Sequence, residues 1–200
     1  MRIKTVKMKD LKFDPNLFRP MSTGRAIDAH FSSTRGIMRG TNYAIVGDPG
    51  VGKTTVMLDI LADLHTRGQK VLFISGEMNS IDMYGYVKRY PKFADLPILF
   101  MGDYAEDNCL NVLTEILDEG WDCVLIDSMA EVVNGVMDTH KGYMSSKRAE
   151  SEILNLFEKH NKAGNNSKIN TCFLVIQQVT KMGVFAGSNR FKHMMTGMAH

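Results

Sequence analysis

The stretch NYAIVGDPGVGKTTVMLDILADLHTRG, residues 42–68, decides the fold. A short apolar run ends in Gly47, a glycine-punctuated turn follows, and then apolar residues recur at Val56, Leu58, Ile60, Leu61 and Leu64 up to a helix stop at Gly68. Gly47, Gly52, Lys53 and Thr54 complete the pattern G-x-x-x-x-G-K-[ST], with the strand before it and the helix after it that the pattern requires. The loop and helix start comprise Gly47, Asp48, Pro49, Gly50, Val51, Gly52, Lys53, Thr54 and Thr55. Glycines there let backbone N–H groups turn inward on phosphates, and the helix N-terminus adds its positive dipole end. Lys53 is expected to reach the β- and γ-phosphates, and the Thr54 hydroxyl to bind Mg²⁺. ATP and Mg²⁺ are the expected cofactors.

Outward from this unit, apolar runs at 70–77, 96–102, 122–128 and 170–179 read as further strands. Helical spacing occupies 22–31, 80–90, 109–120 and 148–164, with a Ser or Thr cap opening the first. Residues 131–147 lack clear periodicity and read as a long loop, and 180–195 as a glycine-punctuated basic segment. Strands alternating with helices, each strand near-continuously apolar, predict an α/β protein with a mainly parallel sheet flanked by helices. Residues 1–20 read as a lead-in or subunit-contact segment and 21–200 as the core.

A phosphate loop needs a second metal anchor. Asp127, ending the strand in VLIDS, has the place of a Walker B carboxylate. Hydrolysis also needs a group that orients water, and Glu77, after KVLFIS and expected beside the phosphate loop, is that residue. Gln177 and Gln178 end a later strand, where an amide can sense the γ-phosphate. Alternation sends the two to opposite faces; Gln178 is assigned to the nucleotide.

Two hundred residues suit one domain with a real core, and 44% apolar and 23% charged residues are globular proportions. A net charge of +2 neither demands nor excludes nucleic acid. No apolar run of about 18 residues predicts a membrane span. The N-terminus mixes charges through its apolar residues, unlike a signal peptide. Cys109, Cys123 and Cys172 lack CxxC spacing and fit a reducing cytoplasm rather than a zinc site. The fifteen methionines read as core filling.

The ordered set STGRAIDAHF, GDPGVGKTT, VLFISGEM, DCVLIDS and VIQQVTKMGVFAGSNRFKHMM resembles the RecA-type recombinase core ATPase, and most closely its RadA/Sms branch. VTKMGVFAG is similar to that branch's valine-threonine-lysine-x-glycine segment, and HMM to its histidine-methionine step. The resemblance spans about residues 20–198. It implies an ATPase assembling as a ring or filament, with Lys53, Thr54, Asp127 and Glu77 in nucleotide roles. It also implies single-stranded DNA binding through loops at 129–147 and 180–192.

In the second loop Lys181, Arg190, Lys192 and His193 stand among glycines with Phe185 and Phe191, so Lys181, Arg190, Phe191 and Lys192 are the expected DNA contacts. Lys181 and Arg190 are also the candidates to reach a neighbour's nucleotide. The first loop offers Lys141, Lys147, Arg148 and Tyr143, a weaker signal.

The chain departs from the branch in lacking its four-cysteine module and protease-like domain, and in having Gln178 where the branch has histidine. The expectation is a cytoplasmic chain, in a bacterium or phage-infected host, that is core-only or cut short at its C-terminus. DNA recombination or repair is the leading role, with replication or recombination proteins as further partners. The alternatives are a ring-helicase motor related to the DnaB family, suggested by GEMN, and a regulatory ATPase that binds proteins instead of DNA.

Overall fold

A computed structural model describes residues 5–12, 15–140, 143–162, 170–179 and 187–199. Among these residues six strands form one parallel sheet: β1 (Asn42–Gly47), β2 (Val71–Ser75), β3 (Ile98–Phe100), β4 (Cys123–Asp127), β5 (Cys172–Gln178) and β6 (Gly197–Ala199). Their order is β3-β2-β4-β5-β1-β6. Among the described residues seven α-helices accompany them: α1 (Asp28–Phe31), α2 (Lys53–Thr66), α3 (Ser80–Arg89), α4 (Cys109–Asp118), α5 (Met129–Thr139), α6 (Ser146–Asn161) and α7 (Asn189–Met194).

Successive strand residues face opposite sides, and both sides are covered, so each strand is apolar throughout. Ala44, Val46, Leu72, Ile74, Val124, Ile126, Phe173 and Val175 pack with α4, α5 and α6, where Phe157 stacks on Phe173 at 4.2 Å between ring centroids. Tyr43, Ile45, Val71, Phe73, Cys123, Leu125, Cys172, Leu174 and Ile176 pack against Leu58, Leu61 and Leu64 of α2. The parity of a residue number within a strand therefore tells which face a side chain joins.

α2 is further lashed to its surroundings. Arg25 pairs with Asp59 at 2.5 Å and Asp63 at 2.6 Å, and Lys92 pairs with the same two carboxylates at 2.5 and 2.7 Å. The three cysteines are free and buried. Among the described residues no helix is long and apolar enough to cross a membrane.

Three sequence expectations need correction. The loop expected over 131–147 is largely α5, because Met129, Val132, Val133 and Val136 recur at helical spacing and are all buried. The helix expected over 22–31 shrinks to α1. There the Asp28 carboxylate accepts from Ser22 Oγ, Thr23 N, Thr23 Oγ1 and Gly24 N, holding residues 22–24 in a turn instead. The tail of the basic segment forms α7, and β6 follows it. In the sheet, β4 and β5 stand between β2 and β1.

Candidate nucleotide site

The C-terminal ends of the parallel strands converge on the start of α2. Gly50 and Gly52 adopt φ of +80° and +91°, which side chains rarely tolerate, and a Cβ at either would point into open space. Lys53 Nζ folds back over the loop and donates to the carbonyls of Gly47 at 2.9 Å and Asp48 at 2.7 Å. Its ammonium is thus held over the loop on two oxygen acceptors, an arrangement suited to phosphate oxygens.

Strand parity assembles the rest. Asp127 shares the parity of Cys123 and Leu125, so it faces α2, and Thr54 Oγ1 donates to Asp127 Oδ2. Gln178 shares the parity of Leu174 and Ile176, and Glu77 lies two residues beyond Ser75 on the face of Val71 and Phe73. Gln178 Nε2 donates to Glu77 Oε1 at 2.6 Å. Glu77 reaches the site across the ends of β4 and β5, not from a strand next to β1. A cavity of about 760 Å³ runs from the loop along β1 toward β6, walled by Phe31, Tyr43, Val51, Val56 and Met198 among others.

Asp127 is 3% exposed. Burial pushes its carboxyl up to about 6, and the Glu77 charge adds to this, against the Thr54 hydrogen bond and the Lys53 charge. The residues fit a divalent cation with a polyphosphate: a buried carboxylate beside a hydroxyl, an open glycine cradle, and a lysine already turned toward oxygen acceptors. A carboxyl raised when folded favours the fold at low pH and loses that contribution as pH rises through the folded value. The metal-free protein should therefore lose up to about 3 kcal/mol from this group between about pH 4 and 7. Urea unfolding of wild type and Asp127→Asn across that range checks this: the difference between them should change with pH in that sense. A constant difference would mean that Asp127 titrates normally.

Ser128, which sequence reasoning did not single out, follows Asp127 at the N-cap of α5. It is fully buried, with no partner for its Oγ among the described residues. Its position directly after Asp127 was the available signal.

The expected DNA contacts separate. Lys181 and Phe185 lie outside the described residues, as does Lys141 of the first loop. Phe191 is fully buried against the α5–α6 layer, so its ring offers no face for stacking on a base. Arg190 is tied to α6. Its Nη1 donates to Ser151 O at 3.0 Å and to Ser151 Oγ, Nη2 donates to Asn155 Oδ1 at 2.6 Å, and Glu158 lies at 3.8 Å. It tethers α7 and is not poised as a phosphate ligand. Lys192 and His193 are exposed on α7, and Tyr143, Lys147 and Arg148 are exposed around the start of α6.

A family model, the RecA N-terminal domain, matches residues 11–196. The chain belongs to the RecA N-terminal domain family. Its relatives include "DNA repair protein RadA" of Campylobacter jejuni, 30% identical over 161 residues, covering 80% of this chain and 33% of the relative. The protein of the same name from Brucella abortus is 26% identical over 170 residues, covering 82% and 34%. This RecA-family chain thus spans about a third of the length of the curated relatives it matches. Among solved structures it is similar to the KaiC-like protein PH0186 of Pyrococcus horikoshii, with TM-score 0.64, 15% identity, and 90% and 79% of the two chains covered. It is also similar to the flagellar accessory protein FlaH of Methanocaldococcus jannaschii, with TM-score 0.58, 11% identity, and 82% and 74% covered. These two share its fold.

Proposed function

We propose that this RecA-family chain is an ATPase that binds ATP with Mg²⁺, hydrolyses it, and couples hydrolysis to single-stranded DNA in recombination or repair. Residues 21–200 act as the motor core, and residues 1–20 serve contacts between copies. The observation that carries the reading is the Gln178–Glu77 hydrogen bond beside the Thr54–Asp127 pair. It joins two polar side chains 101 residues apart at the strand ends, which supports reading Glu77 as the group that orients water and Gln178 as the sensor.

A bound Mg²⁺ would supply charge neutralisation between the phosphates. Thr54 and Asp127 would hold it, and Lys53 and the loop amides of Gly50 to Thr55 would grip the phosphate oxygens. Glu77 orients a water and accepts its proton. Glu77 Oε1 accepts from Gln178 Nε2, and Oε2 is the oxygen that takes up the water. Gln178 is bonded to Glu77 at the end of β5, directly before the segment 180–192, which makes it a relay from γ-phosphate to DNA.

The copies assemble as a ring or filament in the cytoplasm of a bacterium or phage-infected host, with replication or recombination proteins as further partners. Several observations support the DNA part: the RadA relatives named above, the cations Lys181 and Lys192, and the exposed Tyr143, Lys147 and Arg148 at the start of α6. With Phe191 buried and Arg190 tethered, Lys181 and Lys192 carry the phosphate contacts of the second segment. Replacing both by alanine should weaken single-stranded DNA binding and flatten its salt dependence by about 0.7 per lost contact. DNA stimulation of ATP turnover should fall with it. Titration of labelled oligonucleotide across a salt series reads this. An unchanged slope with full stimulation would shift the reading to an ATPase that regulates a protein partner.

A further inference from the structure

The phosphate loop opens on one side into more room than phosphates need. The cavity of about 760 Å³ that starts at Gly47, Gly52 and Lys53 runs along β1 to β6, and its size falls within the range of about 300–1,000 Å³ typical of small-molecule sites. Strand register explains why the space exists. β6 pairs in parallel with β1, Gly197 beside Tyr43 and Ala199 beside Ile45, and both β1 residues face α2. The positions of β6 on the α2 side are therefore a glycine and an alanine, whose small size leaves the room above them.

Tyr43 supplies the floor. Its ring lies so close to β6 that a Cβ on Gly197 would stand 3.1 Å from Cδ1 and 3.3 Å from Cε1. Its hydroxyl donates to Phe31 O at 3.1 Å, and the Phe31 ring meets it edge-on with 5.2 Å between centroids. The tyrosine is thus fixed from three directions. On the loop side stand Val51 and Val56, 64% and 46% exposed. A triphosphate gripped at the loop carries a sugar and a base on its other end, and along this cavity they would meet Phe31, Tyr43, Val51 and Val56. Such walls reward the area of a flat ring and do not read the donors and acceptors on its edge. Beyond Asp48 and Lys53 of the loop itself, the polar side chains bordering the cavity among the described residues are the exposed His30 and Thr196, whose Oγ1 accepts from Asn42 N at 3.4 Å.

We infer, resting on the ATP reading above, that this cavity holds the nucleoside of the bound triphosphate by the faces of its base, so that ATP and GTP bind alike and ahead of pyrimidine triphosphates. The larger purine ring buries more apolar area than cytosine, worth roughly fivefold in affinity.

Calorimetric titration of the full chain in the presence of Mg²⁺ with ATP, GTP, CTP and methyl triphosphate in turn tests it. Methyl triphosphate presents the three phosphates without a nucleoside. ATP and GTP should bind within about threefold of each other, CTP roughly fivefold more weakly, and methyl triphosphate at least about tenfold more weakly than ATP. Ala199→Leu, which fills the cavity from β6, should bring ATP down to the affinity of methyl triphosphate and leave methyl triphosphate unchanged. Thermal melting checks the folding of that variant, and the comparison of ligands on wild type stands without it. Methyl triphosphate binding as tightly as ATP overturns the inference, as does a preference of about tenfold or more between ATP and GTP, or an ATP advantage that survives Ala199→Leu. If no ligand binds, the phosphate-loop reading itself falls and this inference with it, whereas equal binding of all ligands removes this inference alone.

Discussion

Lys53→Ala is expected to abolish ATP turnover and weaken Mg-ATP binding by at least about 100-fold. Two charge-assisted hydrogen bonds to phosphate oxygens are lost, each worth roughly 1.5–3 kcal/mol. The ammonium already sits over the loop, donating to the carbonyls of Gly47 and Asp48, so little ordering is required when phosphate replaces them. The fold should survive, because Lys53 is not part of either packed layer and α2 is anchored through Leu58, Leu61 and Leu64. Calorimetric titration with Mg-ATP and a turnover assay, with thermal melting as the control, make the measurement. Wild-type turnover in a folded Lys53→Ala protein would remove the phosphate-loop assignment.

Glu77→Gln should separate binding from chemistry. The substitution keeps the side-chain shape and an oxygen that can accept from Gln178 Nε2, so the 2.6 Å contact has a substitute. What disappears is the base that takes the proton of water. Nucleotide affinity should stay near wild type while hydrolysis slows by at least about 100-fold, the lower end of general-base effects. Single-turnover hydrolysis beside equilibrium nucleotide binding distinguishes the two quantities. If the rate is unchanged, another carboxylate serves as base, and the Gln178 contact is a structural bond between strand ends.

Elements whose own sequence opposed their structure were the ones misread. The unit from β1 through α2 was legible because the glycine motif and the helical apolar spacing agree residue by residue, and β2, β4 and β5 because burial on both faces leaves no polar interruption. α5 was not legible. Its core stripe of Met129, Val132, Val133 and Val136 is present, but four β-branched residues and Gly135 lower its intrinsic helix preference. Packing against α4 and α6 outweighs that preference, and Gly135 lies near Cys109, whose Sγ would be 3.6 Å from a Cβ there. Phe191 misled for a different reason. Its neighbours Arg190 and Lys192 suggest an exposed basic platform, whereas a six-residue helix turns the ring inward, ties Arg190 to α6 and leaves Lys192 exposed. Within the site, Lys53, Thr54 and Asp127 were readable from local pattern. The contact between Glu77 and Gln178 was readable only in part, since a strand order with β4 and β5 between β2 and β1 is not written in any single segment.

The two glutamines at the end of β5 have a mechanical consequence. Their Cα atoms are separated by a single peptide link, about 3.8 Å, yet they open on opposite sides of the sheet. A message between the two sides would not need a long chain of intermediaries. β5 is bonded to β4 on one flank and β1 on the other, so it can advance or retreat only as part of a rack that also carries Asp127 and Gly47. Any axial travel produced on the α2 side arrives on the α5–α6 side undiminished and in the same direction. Transmission of this kind has no slack to tune, so its gain is set by how far the strand slides and not by how many residues lie between the two sites.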